Sequence, residues 1–114
     1  MKITISENRI EQFIFKYLDN KLKDLVQSKG EYFDIVFKYP GEEYGILGWE
    51  KSGKLWIFYK LIDDIFSFIP IEKPEIQKII GRYVEDRYNL EVRNTSERRT
   101  YQLISGLKID TIWR

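Results

Sequence analysis

Apolar side chains recur at helical spacing along the first quarter of the chain. From about Ser6 to Ser28, Ile10, Phe13, Ile14, Tyr17, Leu18, Leu22 and Leu25 share one face, with Lys16, Asp19, Lys23 and Asp24 opposite. Ser6 reads as the N-cap, Ile5 and Ile10 occupy the positions of a hydrophobic staple, and Gly30 marks the stop. Met1–Ile5 ahead of the helix reads as a short edge strand. The period then changes to two. Phe33–Tyr39 reads as a strand, Pro40–Glu43 as a turn and Tyr44–Lys51 as a second strand. Ser52-Gly53 follows as a two-residue hairpin loop and Lys54–Ile62 as a third strand. Asp63–Ile69 is expected to form a helical turn stopped by Pro70. Pro74 opens a second helix to about Tyr88, with Glu75 in its first turn, Ile76, Ile79, Ile80, Tyr83 and Val84 as its buried stripe, and Asn89 as a left-handed stop. Leu90–Arg93 reads as a strand and Asn94–Thr100 as a polar loop. Tyr101–Ile104 and Leu107–Trp113 read as a hairpin around Ser105-Gly106. The expected order is α-β-β-β-α-β in a single α+β domain over 1–114, an antiparallel meander with two helices packed on one face and a hairpin-like tail.

The two turns fix a register, and register decides which side chains share a face. It pairs Lys51 with Lys54, Trp49 with Trp56, Leu47 with Phe58, Phe37 with Ile46 and Ile35 with Gly48. One face then carries Phe33, Ile35, Phe37, Tyr39, Ile46, Leu55, Ile57, Tyr59 and Leu61 and belongs under the helices, where Gly48 lets a helix approach. The other holds Val36, Leu47, Trp49, Trp56 and Phe58, ringed by Asp34, Lys38, Lys51, Lys54 and Lys60. A solvated sheet face does not normally carry two Trp and a Phe. Three readings follow: the tail Leu90–Trp113 folds across it, it is a protein interface, or it is a platform on which nucleobases stack.

Composition narrows the chemistry. The 114 residues include 19 basic and 18 acidic side chains, for a net charge of +1, with no cysteine and no histidine. Thiolate nucleophiles, disulfides, cysteine zinc sites and imidazole general bases are therefore excluded. Near-neutral charge argues against a dedicated DNA-binding domain. The stretch MKITISENRIEQF carries charges throughout and has no apolar centre, so it does not read as a secretory signal, and the apolar run Ile65–Ile71 is too short to span a membrane. A cytoplasmic location is expected. Four acidic pairs have structural explanations: Glu42-Glu43 in a turn, Asp63-Asp64 at a helix cap, Glu72 with Glu75 at a helix start, and Glu85-Asp86 on a solvated side. No catalytic residue, metal site or cofactor is assigned. Arg93, Arg98 and Arg99 in the polar segment are the candidate anion contacts.

Two resemblances bear on function. The α-β-β-β-α-β order is similar to the core of PD-(D/E)xK nucleases, whose third strand carries an acid-x-Lys signature. Here that position reads Phe58-Tyr59-Lys60, so Lys60 fits and Phe58 stands where the metal-binding acid belongs, while Glu43 stands for the second-strand acid. The resemblance implies a degenerate, non-cutting relative. The double-stranded RNA-binding domain shares α-β-β-β-α, but the place of its basic cluster reads Glu72-Lys73-Pro74-Glu75. The opening MKITISEN looks like small uncharacterised proteins of tailed phages and environmental sequence sets. The expected function is that of a non-catalytic interaction or accessory protein, pairing with itself as a homodimer or with another protein. Its expected face comprises Leu47, Trp49, Trp56 and Phe58 with Lys38, Lys51, Lys54 and Lys60, or alternatively an edge strand. The alternative is nucleic-acid binding through Lys38, Lys51, Lys54, Lys60, Arg98 and Arg99, and a third is a small-molecule pocket lined by Tyr17, Tyr59 and Tyr83.

Overall fold

The computed structural model describes residues 2–30, 33–42 and 45–98. In chain order these form α1 (Lys2–Lys21), β1 (Val26–Ser28), β2 (Ile35–Lys38), β3 (Gly45–Trp49), β4 (Lys54–Phe58), α2 (Tyr59–Phe66), α3 (Lys73–Tyr88) and β5 (Asn94–Arg98). The fold is α+β. One open sheet runs β1-β2-β3-β4-β5, antiparallel through β4, with β5 parallel to β4 at the edge. The parallel pair requires a crossover, which α2 and α3 supply. All three helices close one face of the sheet over Ile14, Leu18, Phe37, Leu47, Leu55, Ile57, Ile62, Ile65, Ile76 and Ile80.

Helix α3 follows its sequence signals closely. Pro74 sits in the first turn, Ile76, Ile79, Ile80, Tyr83 and Val84 are buried, and Asn89 ends the helix at φ 58° with its amide donating to the Glu85 carbonyl. Gly81 lies on the same buried side, where a β-carbon would be 3.2 Å from both Thr95 Cγ2 and Val92 Cγ1.

Helix α1 departs from expectation at both ends. Residues 2–5 are helical rather than an edge strand and Ser6 lies inside the helix, because no Gly or Pro interrupts residues 2–21. The helix ends at Lys21, since Val26–Ser28 pairs instead with Val36–Lys38 as β1. Gly30 is thus no helix stop. Its α-carbon lies against Val36, where a β-carbon would sit 2.6 Å from Val36 Cγ2.

The meander differs from expectation in the register of its middle strand and at Phe33, expected under the helices, which precedes β2 and packs on the reverse face. Near the first turn the expected partners Lys38 and Gly45 do pair, but an irregularity follows, and Phe37 opposes Leu47 rather than Ile46. Ile46 is the extra residue of a β-bulge. At the other end the loop has three residues, Lys51-Ser52-Gly53, not two. Gly53 N donates to the Glu50 carbonyl (2.8 Å), Glu50 N donates to the Lys54 carbonyl (2.9 Å), and Gly53 takes φ 98°. This is a type I turn closed by a left-handed glycine. Trp49 therefore pairs with Leu55, Gly48 with Trp56 and Leu47 with Ile57. The two offsets turn over β3 from Leu47 onward: Leu47 and Trp49 face the helices and Gly48 lies between Val36 and Trp56 on the other side, while the bulged Ile46 still packs against the helical core.

Two further segments change type. Lys54–Ile62 is not one strand: β4 stops at Phe58 and α2 begins at Tyr59, burying Leu61, Ile62 and Ile65 at helical spacing. Leu90–Arg93 is not a strand, and the polar segment beginning at Asn94 is β5 rather than a loop. Backbone contacts fix β5: the Gly53 carbonyl accepts from Arg93 N (2.7 Å) and Asn94 N (3.3 Å). The expected hairpin around Ser105-Gly106 lies outside the described residues.

Candidate functional site

The expected Leu47–Trp49–Trp56–Phe58 face is not formed as a unit. Leu47 is fully buried under the helices. Trp49 packs against the same core, and its Nε1 donates to the Glu91 carbonyl at 2.8 Å. Trp56 and Phe58 lie on the opposite face in a separate cluster with Phe33, Val36 and Tyr59. The β1–β2 connection contributes Phe33, whose ring meets Trp56 edge-on at 6.5 Å, and Val36 beneath is wholly buried.

Trp56 is tightly held. Its Nε1 donates to Glu50 Oε2 at 2.7 Å. Lys54 Nζ lies 4.7 Å from the ring centroid and the Arg98 guanidinium carbon 4.6 Å. Lys54 precedes Trp56 by two residues on β4, whereas Arg98 is in register with Phe58, two residues beyond. The cations thus approach the indole from opposite ends of the strand direction. A nucleobase stacking there would have to displace one of them, giving up a cation–π contact worth about 0.5–1 kcal/mol at an exposed site. Arg98 Nε is buried without a hydrogen-bond partner, and burial lowers the guanidinium pKa against the opposing influence of Glu50.

The remaining candidates scatter. Lys38 ends β2, Lys51 sits in the hairpin loop with its amide on Asp34 Oδ2 (2.6 Å), and Lys60 lies in the first turn of α2. Lys60 is therefore a helix residue rather than the strand residue expected. Glu43 and Arg99 lie outside the described residues. Arg93 pairs with Glu91 (2.7 Å) at one end of β5 and Arg98 reaches Trp56 from the other, so they do not converge on one anion. Nor do the three tyrosines share a pocket. Tyr83 donates to Asp19 Oδ1 (2.9 Å), Tyr59 packs on Phe58 (5.1 Å), and Tyr17 meets Phe68 (5.0 Å).

Asp19 joins α1 to α3 by accepting two hydrogen bonds from Arg87, 2.8 and 2.9 Å, beside the one from Tyr83. Arg87 holds the Asp19 carboxyl below the usual carboxylate range, while burial and the hydrogen bond to Asp19 push the Tyr83 phenol up. Glu11 does the same further along by accepting from Arg82 (2.7 Å). That pair lies in a cleft of about 660 Å³ between α1 and the α2–α3 connection, otherwise lined by Ile10, Pro70, Ile71, Glu72, Pro74, Glu75 and Ile79. Among the described residues no group of three or more Asp or Glu could hold a metal ion, and no helix is long and apolar enough to cross a membrane.

Among the described residues, the large apolar side chains left in solvent are Val26 on β1 and three phenylalanines on the helical layer. Phe13 is 54% exposed, Phe66 45% and Phe68 44%. Phe13 and Phe68 meet edge-on at 6.0 Å, and Phe68 also packs on the half-buried Tyr17. Phe66 lies under Lys73, itself paired with Asp63. The sequence pattern assigned Phe13 to the buried stripe, yet at 100° per residue it stands about 100° from Ile14, at the stripe's margin. The Phe66-Ser67-Phe68 run beyond the last buried residue of α2, Ile65, was the other available signal.

No family model, curated protein or solved structure matches this chain.

Proposed function

We propose that this chain is a non-catalytic association protein and that Phe13, Tyr17 and Phe68 are the centre of its contact surface. One observation supports the reading above others. Phe13 and Phe68 contact each other while each keeps about half its surface in water, beside a core that buries aliphatic side chains completely. Contiguous aromatic surface of this kind marks interaction sites, because covering it returns about 25 cal/mol per Å². Replacing Phe68 by Ser tests the reading by light scattering over a range of concentrations. The parent chain is expected to gain mass with concentration and the Phe68→Ser variant to remain monomeric; equal masses for the two would end the proposal.

A second reading, nucleic-acid binding, draws support from the sheet's other face. Lys38, Lys51, Lys54 and Arg98 lie on or beside it, and none forms an ion pair among the described residues. Titrating binding to generic duplex DNA against salt decides it. Phosphate contacts strengthen as salt falls, so absence of binding at low ionic strength ends this reading.

A further inference from the structure

Resting on the association reading, we infer that the partner is a second copy of this chain, docked about a two-fold axis through the Phe13–Phe68 contact so that the α1 cations of each copy meet Asp64 of the other. Arg9 lies one helical turn before Phe13 and Lys16 three residues after it, so both flank that ring on the outer side of α1. Both are exposed and form no ion pair among the described residues. The other flank carries a carboxylate, with the exposed Lys60 one helical turn before it on α2. Asp64 is exposed, lies four residues before Phe68, and stands near enough to Tyr17 to reinforce the upward shift that burial gives its phenol. The neighbouring carboxylates Glu11, Asp19 and Asp63 are already matched to Arg82, Arg87 and Lys73 within the chain. Arg9 and Lys16 on α1 and Asp64 on α2 are thus charges near the aromatic patch without an ion-pair partner among the described residues.

Such a surface is complementary to itself. A two-fold operation places the α1 cations of each copy against Asp64 of the other, and every contact occurs twice. A partner of uniform charge would meet one flank unfavourably. The formal charge of +1 per copy adds little long-range repulsion. Two phenylalanine rings of about 200 Å² each, half exposed, supply about 200 Å² of aromatic surface per copy. Doubled, they give an aromatic centre of about 400 Å², so the dimer is of the small, weak class below about 1,200 Å².

The test uses the full chain and five proteins: the parent, Phe68→Ser, Asp64→Lys, Lys16→Glu, and Lys16→Glu combined with Asp64→Lys. Dissociation constants come from sedimentation at low and high salt, with circular dichroism checking each fold. Asp64→Lys is expected to weaken the dimer about tenfold, and the double exchange to recover most of that loss. Lys16→Glu alone probes the same contact from the other side, should Asp64→Lys fold poorly. If Phe68→Ser gives a monomer but the double exchange restores nothing, the two-fold arrangement is wrong and the association reading stands. A parent chain monomeric at every concentration, which leaves Phe68→Ser no effect, overturns both.

Discussion

Under the helices the sheet buries Phe37, Leu47, Leu55 and Ile57 in a core closed by α1, α2 and α3, whereas on its reverse the described residues bury Phe33, Val36 and Phe58. That smaller cluster contains Phe33 from the chain's own β1–β2 connection and abuts a tryptophan set between two cations. The first face depends on apolar volume and close packing. The second depends on a few specific polar partners: Glu50 for the indole N–H and Lys54 and Arg98 for its ring. The difference teaches that burial on the reverse face is local, so it should answer to different substitutions and cost less to disturb.

The largest effect is expected for Leu47→Ala. Removing a fully buried leucine from the helical side should cost about 3 kcal/mol in a urea titration. A cost below about 1 kcal/mol would place Leu47 on the other face and break the comparison. Next comes Gly53→Val, expected at about 2 kcal/mol. The residue has φ 98°, and a β-carbon there would lie 2.7 Å from Arg93 Cγ. Gly41→Ala sharpens that result, since Gly41 has φ 85° with open space around it, so only the backbone cost of about 1 kcal/mol should appear. Trp56→Leu, on the reverse face, should cost about 1 kcal/mol as the two cation contacts are lost and apolar area is largely kept. The smallest effect is at Asp19. Its carboxyl pKa is lowered by Arg87, so its contribution is present above the unfolded carboxylate pKa and is lost as pH falls through the lower folded value. Asp19→Asn should flatten that acid limb of a stability–pH curve while changing neutral stability by less than about 1 kcal/mol, because the pair is solvent-exposed.

The two outer strands of the β2–β4 meander were readable, and the middle one was not. Alternation of apolar and polar residues put Ile35 and Phe37, then Leu55 and Ile57, on the helical side. In β3 both alternating sets are apolar or glycine, Ile46 and Gly48 against Leu47 and Trp49, so the pattern alone does not choose between them. The choice rests on a bulge at Ile46 and on one extra loop residue, and Ser52-Gly53 suits a two- or a three-residue loop equally well. Helix α3 was legible because Pro74, the isoleucine stripe and Asn89 all point to one element. Strand β5 was not, because Asn94-Thr95-Ser96-Glu97-Arg98 has no apolar alternation and is placed by β4 and the Gly53 carbonyl. Its Thr95 hydroxyl meets Gln77 of α3 at 3.2 Å. The exposed aromatic surface went unread for a related reason. A wheel shows that Phe13 borders the apolar stripe, but where the core ends depends on the position of α2.

The Gly53 carbonyl has a kinetic consequence. It receives the chain at Arg93 and Asn94, so the parallel pairing of Lys54 with Asn94 closes a loop of about 40 residues. The β3–β4 hairpin closes over three residues and makes the acceptor first. Non-local parallel pairing is slow, and β5 therefore adds late, onto a turn already formed, and leaves first when the protein opens. In amide exchange, β5 should lose protection before β3 and β4, and the tie between hairpin loop and edge strand sets the order in which the sheet is assembled.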